Sequence, residues 1–182
     1  MTNKMKQSVA GRMICALVIA AVVLADQLTK AAAVGALKAP GNSVTAIPGA
    51  LDFTYVLNRG ATAGILADRR WIFMAVSGIV IVAGLIILLL GKIKSNFTAV
   101  AVAMIIGGGI GNMIDRVANG EVVDFIDVTL VDFFPFNTVF NLADTFVCVG
   151  CVLLIVSVIA GEIKDRKKKD DAETPEDGET EA

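Results

Sequence analysis

The chain contains no histidine. This removes Ser-His and Cys-His nucleophilic pairs, HExxH zinc sites and imidazole proton relays together. Cysteine is scarce: Cys15, Cys148 and Cys151 all fall inside apolar runs. Cys148-x-x-Cys151 has redox or metal spacing, but no partner ligands accompany it, so helix packing is its expected role. Polar sequence is also in short supply. Of 182 residues, 55% are hydrophobic, and the mean hydropathy is +0.73. That excludes an ordinary soluble domain.

What the chain does have is long apolar runs, at residues 13–25, 71–90, 97–114 and 139–160. A membrane-crossing helix takes about 20 mostly apolar residues. The run at 71–90 reaches that length unaided, and 139–160 does so with Asn141 and Asp144 in its first turns. The run at 97–114 falls short unless Asp115 and Arg116 belong to its last turn. The first run needs Asp26, Gln27, Thr29 and Lys30 before it resumes at 31–37. The expected fold class is therefore an α-helical integral membrane protein with four transmembrane helices, three of them polar near one end. Lys4, Lys6 and Arg12 ahead of the first run resemble a signal peptide, but the polar end of that run and three further segments favour a retained helix.

Between the first two runs, residues 38–70 are polar, with Pro40, Gly41, Pro48 and Gly49 as turn formers. Leu51-Asp52-Phe53-Thr54-Tyr55-Val56-Leu57 partly alternates and is rich in strand formers, which predicts a short strand or hairpin on the membrane surface. The chain divides into a membrane domain at 1–163 and a basic-then-acidic tail at 164–182. Asp170, Asp171, Glu173, Glu176, Asp177, Glu179 and Glu181 lie in that tail with no basic residue after Lys169. Such a segment is expected to be solvated and disordered.

Basic residues orient the chain. Lys4, Lys6, Arg12, Lys92, Lys94, Lys164, Arg166, Lys167, Lys168 and Lys169 fall on one side, against Lys30, Lys38, Arg59, Arg69, Arg70 and Arg116 on the other. The positive-inside rule then puts both termini in the cytoplasm and the connections at 38–70 and 117–138 outside, with Arg69-Arg70 the main counter-evidence. In this arrangement Asp26, Asn112, Asp115, Arg116, Asn141 and Asp144 reach one depth, the outer boundary, with Asn58 and Asp124 in the outer connections.

Ionisable groups at such positions are expensive and usually functional. Asn112, Asp115 and Arg116 share a helix face at i, i+3 and i+4, after a Gly107-x-x-x-Gly111 pattern that permits close helix packing. Arg116 is suited to a carbonyl or an anionic head group, and Asp115 to a structural helix end. Asn141 and Asp144 stand i, i+3 at a helix start, where a catalytic role and plain capping are both open. Asp124 sits between Val122-Val123 and Phe125-Ile126, an odd apolar setting that an outward-facing strand residue would also explain. Asp127 and Asp132 compete with it. Asp26 and Lys30 make an i, i+4 pair that reads as an interfacial ion pair or as part of a site.

Two carboxylates held together cannot both ionise easily, so one keeps a proton near neutral pH. The ionised member then takes a proton from water while the other polarises a carbonyl. That hydrolysis needs none of the residues missing here. An aspartic hydrolase is the leading reading of the residues; the rivals are an ion-coupled transporter and a non-catalytic assembly factor.

Five motifs in order extend this reading: Asp26-Gln27-Leu28-Thr29-Lys30, Asn58-x-Gly60-Ala61, Gly111-Asn112-x-x-Asp115-Arg116, Val122-Val123-Asp124-Phe125-Ile126 and Phe140-Asn141-x-Ala143-Asp144. Over residues 12–160 the chain resembles the lipoprotein signal peptidase, or signal peptidase II, family of bacterial membrane aspartic proteases. The resemblance implies four transmembrane helices with a small extracytoplasmic β-structured platform in the cell membrane. It implies a catalytic pair at Asp124 and Asp144, substrate-binding residues at Asn58, Asn112, Arg116 and Asn141, and supporting residues at Asp26, Lys30 and Asp115. Substrates would be diacylglyceryl-modified prolipoproteins at the membrane lipid, cleaved before the lipidated cysteine, and a globomycin-type inhibitor is expected. No cofactor, metal or nucleic acid is implied. Thr62-Ala63 departs from the family's usual Ala-Phe, and the Phe133-Phe134-Pro135-Phe136 cluster is a candidate membrane anchor in compensation.

Overall fold

A computed structural model describes residues 7–39, 41–59, 70–129 and 139–173. Four helices and three strands follow in the order α1 (Val9–Leu37), β1 (Ser43–Ile47), β2 (Leu51–Asn58), α2 (Arg70–Leu89), α3 (Asn96–Asn119), β3 (Val122–Val128) and α4 (Leu142–Glu173). The helices form a bundle in which α3 packs against all three others. Helices α1 and α3 and residues Leu142–Lys167 of α4 are long and apolar enough to cross a membrane, while the described apolar stretch of α2 is the shorter Met74–Leu89.

Local signals set the helix limits. Ser8 caps α1 by accepting the Gly11 N–H at 3.0 Å, and Ser95 caps α3 by accepting the Thr98 N–H at 3.3 Å. Helix α1 runs straight through Asp26 and Lys30, so the first apolar run and its polar continuation are one helix. Asp115 and Arg116 do lie in the last turns of α3. Gly120 ends that helix with φ 79° and an N–H to the Arg116 carbonyl at 3.1 Å, a left-handed cap that suits glycine.

Helix α4 continues past residue 163, the expected end of the membrane domain, without a break, carrying Lys164, Arg166 and Lys167 on exposed turns. The end of the acidic tail, at 174–182, lies outside the described residues, as do Thr62-Ala63, Asp132 and Phe133 to Phe136. Cys15 is buried, but Cys148 and Cys151 sit on an exposed face of α4 instead of in a helix contact.

The strands make an antiparallel sheet in the order β1-β2-β3. Turn residue Gly49 takes φ 70° between β1 and β2. The sheet packs on the end of α1, where Ala33, Leu37 and Phe125 are buried against Phe53, Tyr55 and Ile126. Between Phe53↔Ile126 and Val56↔Asp124 the register slips by one residue, a bulge that increases local twist. Beyond it Asn58 pairs with Val122, which makes Asn58 a diagonal same-face neighbour of Asp124. Phe140 continues the pairing through two hydrogen bonds with Ile126, at 2.8 and 2.9 Å, and delivers the chain to α4.

Candidate active site

Five stretches converge at one end of the bundle. The α1 residues are Asp26, Gln27 and Lys30; β2 ends on Asn58; α3 brings Asn112, Asp115 and Arg116; β3 brings Asp124; and the start of α4 brings Asn141 and Asp144. Asp26 and Asn141 are 0% exposed, Asp124 2% and Lys30 3%. Groups this buried need partners, and each has several.

The lower layer is ionic. Lys30 Nζ lies 2.8 Å from Asp26 Oδ2 and 2.9 Å from Asp115 Oδ2, and donates to Asn112 Oδ1 at 2.9 Å. The i, i+4 pair is thus a buried three-residue cluster, not an interfacial pair. Asp26 Oδ1 also accepts the Ala143 N–H at 3.0 Å, capping α4 from α1. Asp115 Oδ2 accepts the Val123 N–H at 3.2 Å, which anchors β3 beside Asp124. Gln27 Nε2 reaches Asp115 Oδ1 at 3.0 Å, Gly111 O at 3.2 Å and Asp26 Oδ2 at 3.2 Å. Gln27 stands inside the Asp26-to-Lys30 motif without an expected role in the site, and in the sequence only its place next to Asp26 points to it.

The upper layer holds two carboxyl groups on a pair of amides. Asn141 Nδ2 donates to Asp124 Oδ1 at 2.7 Å and to Asn112 Oδ1 at 3.0 Å. Asn112 Nδ2 donates to Asp144 Oδ1 at 2.8 Å, and Asn58 Nδ2 donates to Asp124 Oδ2 at 2.8 Å. Asn141 also caps α4: its Oδ1 accepts the Asp144 N–H at 2.9 Å, and Asp144 Oδ2 accepts the Asn141 N–H at 3.4 Å. Capping and carboxylate placement are one set of contacts. Asp127 stands across from Asp52 on β2, three residues from Asp124 along β3 and so on the other face of the sheet.

Burial pushes the Asp124 carboxyl up to about 6 from 3.8. The Asn58 amide opposes that rise, the nearby Asp144 adds to it, and Asn141 and Lys30 oppose it more weakly. Asp124 is therefore a carboxyl able to hold a proton close to neutral pH.

A cavity of about 290 Å³ opens beside the network, between α2, α3 and α4. Asn112, Arg116 and Asp144 form its polar end, and Val80, Ile81, Ile106 and Val147 line the apolar remainder. Arg116 Nη1 donates to the Asn112 carbonyl at 3.4 Å, which lays its side chain along this wall. Asp144 faces the cavity directly, whereas Asp124 is joined to it through Asn141 and Asn112. A polar end carrying a carboxylate and a guanidinium, on an apolar slot in a membrane bundle, suits a peptide that arrives from the bilayer.

The family model described as Signal peptidase (SPase) II matches residues 18–160. A lipoprotein signal peptidase of Brevibacillus brevis is 39% identical over 150 residues, covering 81% of this chain and 97% of the relative. One of Halalkalibacterium halodurans is 36% identical over 159 residues, covering 86% and 99%. Two solved structures described as a bacterial membrane enzyme, obtained by the in meso method, are similar throughout. The one at 2.3 Å resolution has a TM-score of 0.72 and 29% identity, covering 97% of this chain and 98% of that one. The one at 1.9 Å has a TM-score of 0.71 and 32% identity, covering 84% and 95%.

Proposed function

The chain belongs to the signal peptidase II family, the membrane aspartic endopeptidases that act on lipoprotein signal peptides, and from that premise we propose that Asp124 and Asp144 are its catalytic pair. The carrying observation is that both carboxyl groups hang on one Asn112–Asn141 amide pair, of which Asn112, with Asp144, reaches the polar end of the cavity.

The substrate is a prolipoprotein whose cysteine carries a diacylglyceryl group, and the bond cleaved is the one before that cysteine. Asp144, which faces the cavity, is the general base that takes a proton from water. Asp124, buried and with its proton held up to about pH 6, donates to the scissile carbonyl oxygen as the water oxygen bonds to its carbon. The tetrahedral species collapses when the proton held by Asp144 passes to the leaving nitrogen and Asp124 recovers its own. No covalent enzyme intermediate forms, and the steps use neither cofactor nor metal.

Asn58, Asn112 and Asn141 bind the reacting peptide as well as the carboxyl groups, and Arg116 holds a substrate carbonyl or anionic head group at the cavity wall. Asp26, Lys30 and Asp115 support them. A globomycin-type cyclic peptide would compete for the same cavity. Both termini are cytoplasmic and the site faces outward, because exposed Arg12, Lys92, Lys94, Lys164, Arg166 and Lys167 gather at the bundle end away from the dyad.

The test is cleavage of purified, diacylglyceryl-modified prolipoprotein by detergent-solubilised enzyme. The parent should cleave, and Asp124→Asn and Asp144→Asn should not while remaining folded in the membrane. Full activity in either variant would overturn the pair.

A further inference from the structure

We propose that Lys30 is a positioning residue for cleavage: its ammonium fixes which way the Asn112 and Asn141 amides point, so that each presents its NH2 group to one member of the catalytic pair. The inference rests on the Asp124–Asp144 reading and adds a control point outside it.

Lysine donates and does not accept when ion-paired. Lys30 has three donors and three acceptors around it: Asp26 Oδ2 at 2.8 Å, Asp115 Oδ2 at 2.9 Å and Asn112 Oδ1 at 2.9 Å. A flipped Asn112 would set its NH2 against the ammonium, in a site where Lys30 is 3% exposed and water gives no relief. Asn112 Oδ1 is therefore held toward Lys30, and Nδ2 must face Asp144 Oδ1, where it lies at 2.8 Å.

The same oxygen sets the next amide. Asn112 Oδ1 accepts Asn141 Nδ2 at 3.0 Å, so the Asn141 nitrogen faces Asp124 Oδ1 at 2.7 Å and its oxygen faces the Asp144 N–H at 2.9 Å. Reversing Asn141 would put its oxygen against the Asn112 oxygen and the Val123 carbonyl, 3.4 Å from Nδ2. One fixed donor thus orders both amides. The carboxyl groups at the far ends cannot do this throughout turnover, because each gains and loses a proton and changes between acceptor and donor. Lys30, between Asp26 and Asp115, stays a donor while the proton moves.

The cost of losing this direction is misplacement of the reacting carboxyls, for which about 10²-fold in rate is typical. Lys30→Met alone strands two buried carboxylates, so the working variant is Lys30→Met with Asp115→Asn, which keeps the cluster's net charge. Its reference is Asp115→Asn. Cleavage of lipidated prolipoprotein in detergent should show kcat about 10²-fold below the reference, KM within a few-fold, and a displaced pH profile. The cycle with Asn112→Ala supplies the decisive comparison: once Asn112 is gone, removing Lys30 should cost kcat little more. Equal losses with and without Asn112 would show that Lys30 acts otherwise, and a kcat and pH profile matching the reference would show that it does not act at all.

If the double variant does not fold, single replacements decide. Lys30→Arg remains a donor only, while Lys30→Gln presents oxygen or nitrogen alike, so Arg should retain more kcat than Gln. Equal kcat and equal pH profiles would overturn the proposal. Retained cleavage by Asp124→Asn or Asp144→Asn would overturn it together with the catalytic pair. Dead dyad variants beside a parent-like Lys30 variant would overturn this inference alone.

Discussion

Asp26, on the first helix, accepts the backbone N–H of Ala143, at the start of the fourth, at 3.0 Å across 117 residues of chain. The same carboxylate holds Lys30 at 2.8 Å. One buried side chain therefore fixes both where α4 begins and where the ammonium sits.

Replacing it should cost more than any surface charge. Asp26→Ala leaves the Ala143 N–H buried without an acceptor and Lys30 with a single carboxylate, a loss of about 3–5 kcal/mol. Asp26→Asn keeps an acceptor for the N–H and should lose less. Thermal unfolding in detergent ranks the two; equal losses would mean that the cap contributes nothing.

Close helix contact is the second point of sensitivity. A Cβ on Gly108 would run into the Ala143 carbonyl oxygen and lie 2.8 Å from Val147 Cγ2, and one on Gly111 would run into Asp26 Oδ2. Gly108→Ala and Gly111→Ala should each destabilise by about 1–3 kcal/mol and depress cleavage with it. Gly161→Ala meets nothing within 4 Å and should be silent in both assays.

The pH dependence follows from Asp124. Its carboxyl is raised from 3.8 to about 6, so the proton needed by an acid is present below that value and lost above it. In the substrate-free enzyme kcat/KM should fall as pH rises through about 6. The Asn58 amide opposes the rise, so Asn58→Ala should move this limb to higher pH. A limb that stays in place would remove Asp124 from the role of acid.

At the other end of the bundle the hydroxyls of Thr98 and Ser157 meet at 2.5 Å, tying α3 to α4. A double-mutant cycle with Thr98→Val and Ser157→Ala should give about 0.6–2 kcal/mol of coupling in unfolding. Cleavage should be unchanged, because neither residue touches the site; a matching loss of kcat would mean the bundle's two ends are coupled.

The helices are legible in a linear reading of the residues. Hydrophobic run length, Ser8 and Ser95 as caps and Gly120 as a stop are local signals, and each is visible in a window of a few residues. The common depth of Asp26, Asn112, Asp115, Arg116, Asn141 and Asp144 is legible there too, because an uninterrupted helix converts residue number into height. The ordered motifs carried the family.

Which of these groups touch is settled by packing. Asp124 and Asp127 are alike in sequence, and the pairing of β3 with a bulged β2 is what puts Asp124 beside Asn58 and leaves Asp127 on the other face. Gln27 became a bridge only when α3 brought Gly111 and Asp115 against it. The Asp26–Lys30 pair became a buried cluster for the same reason. Hydropathy gives a residue's depth along one helix. Rotation about that axis is set by packing against the other helices, and the direction of a hydrogen bond is set by the partner that packing supplies.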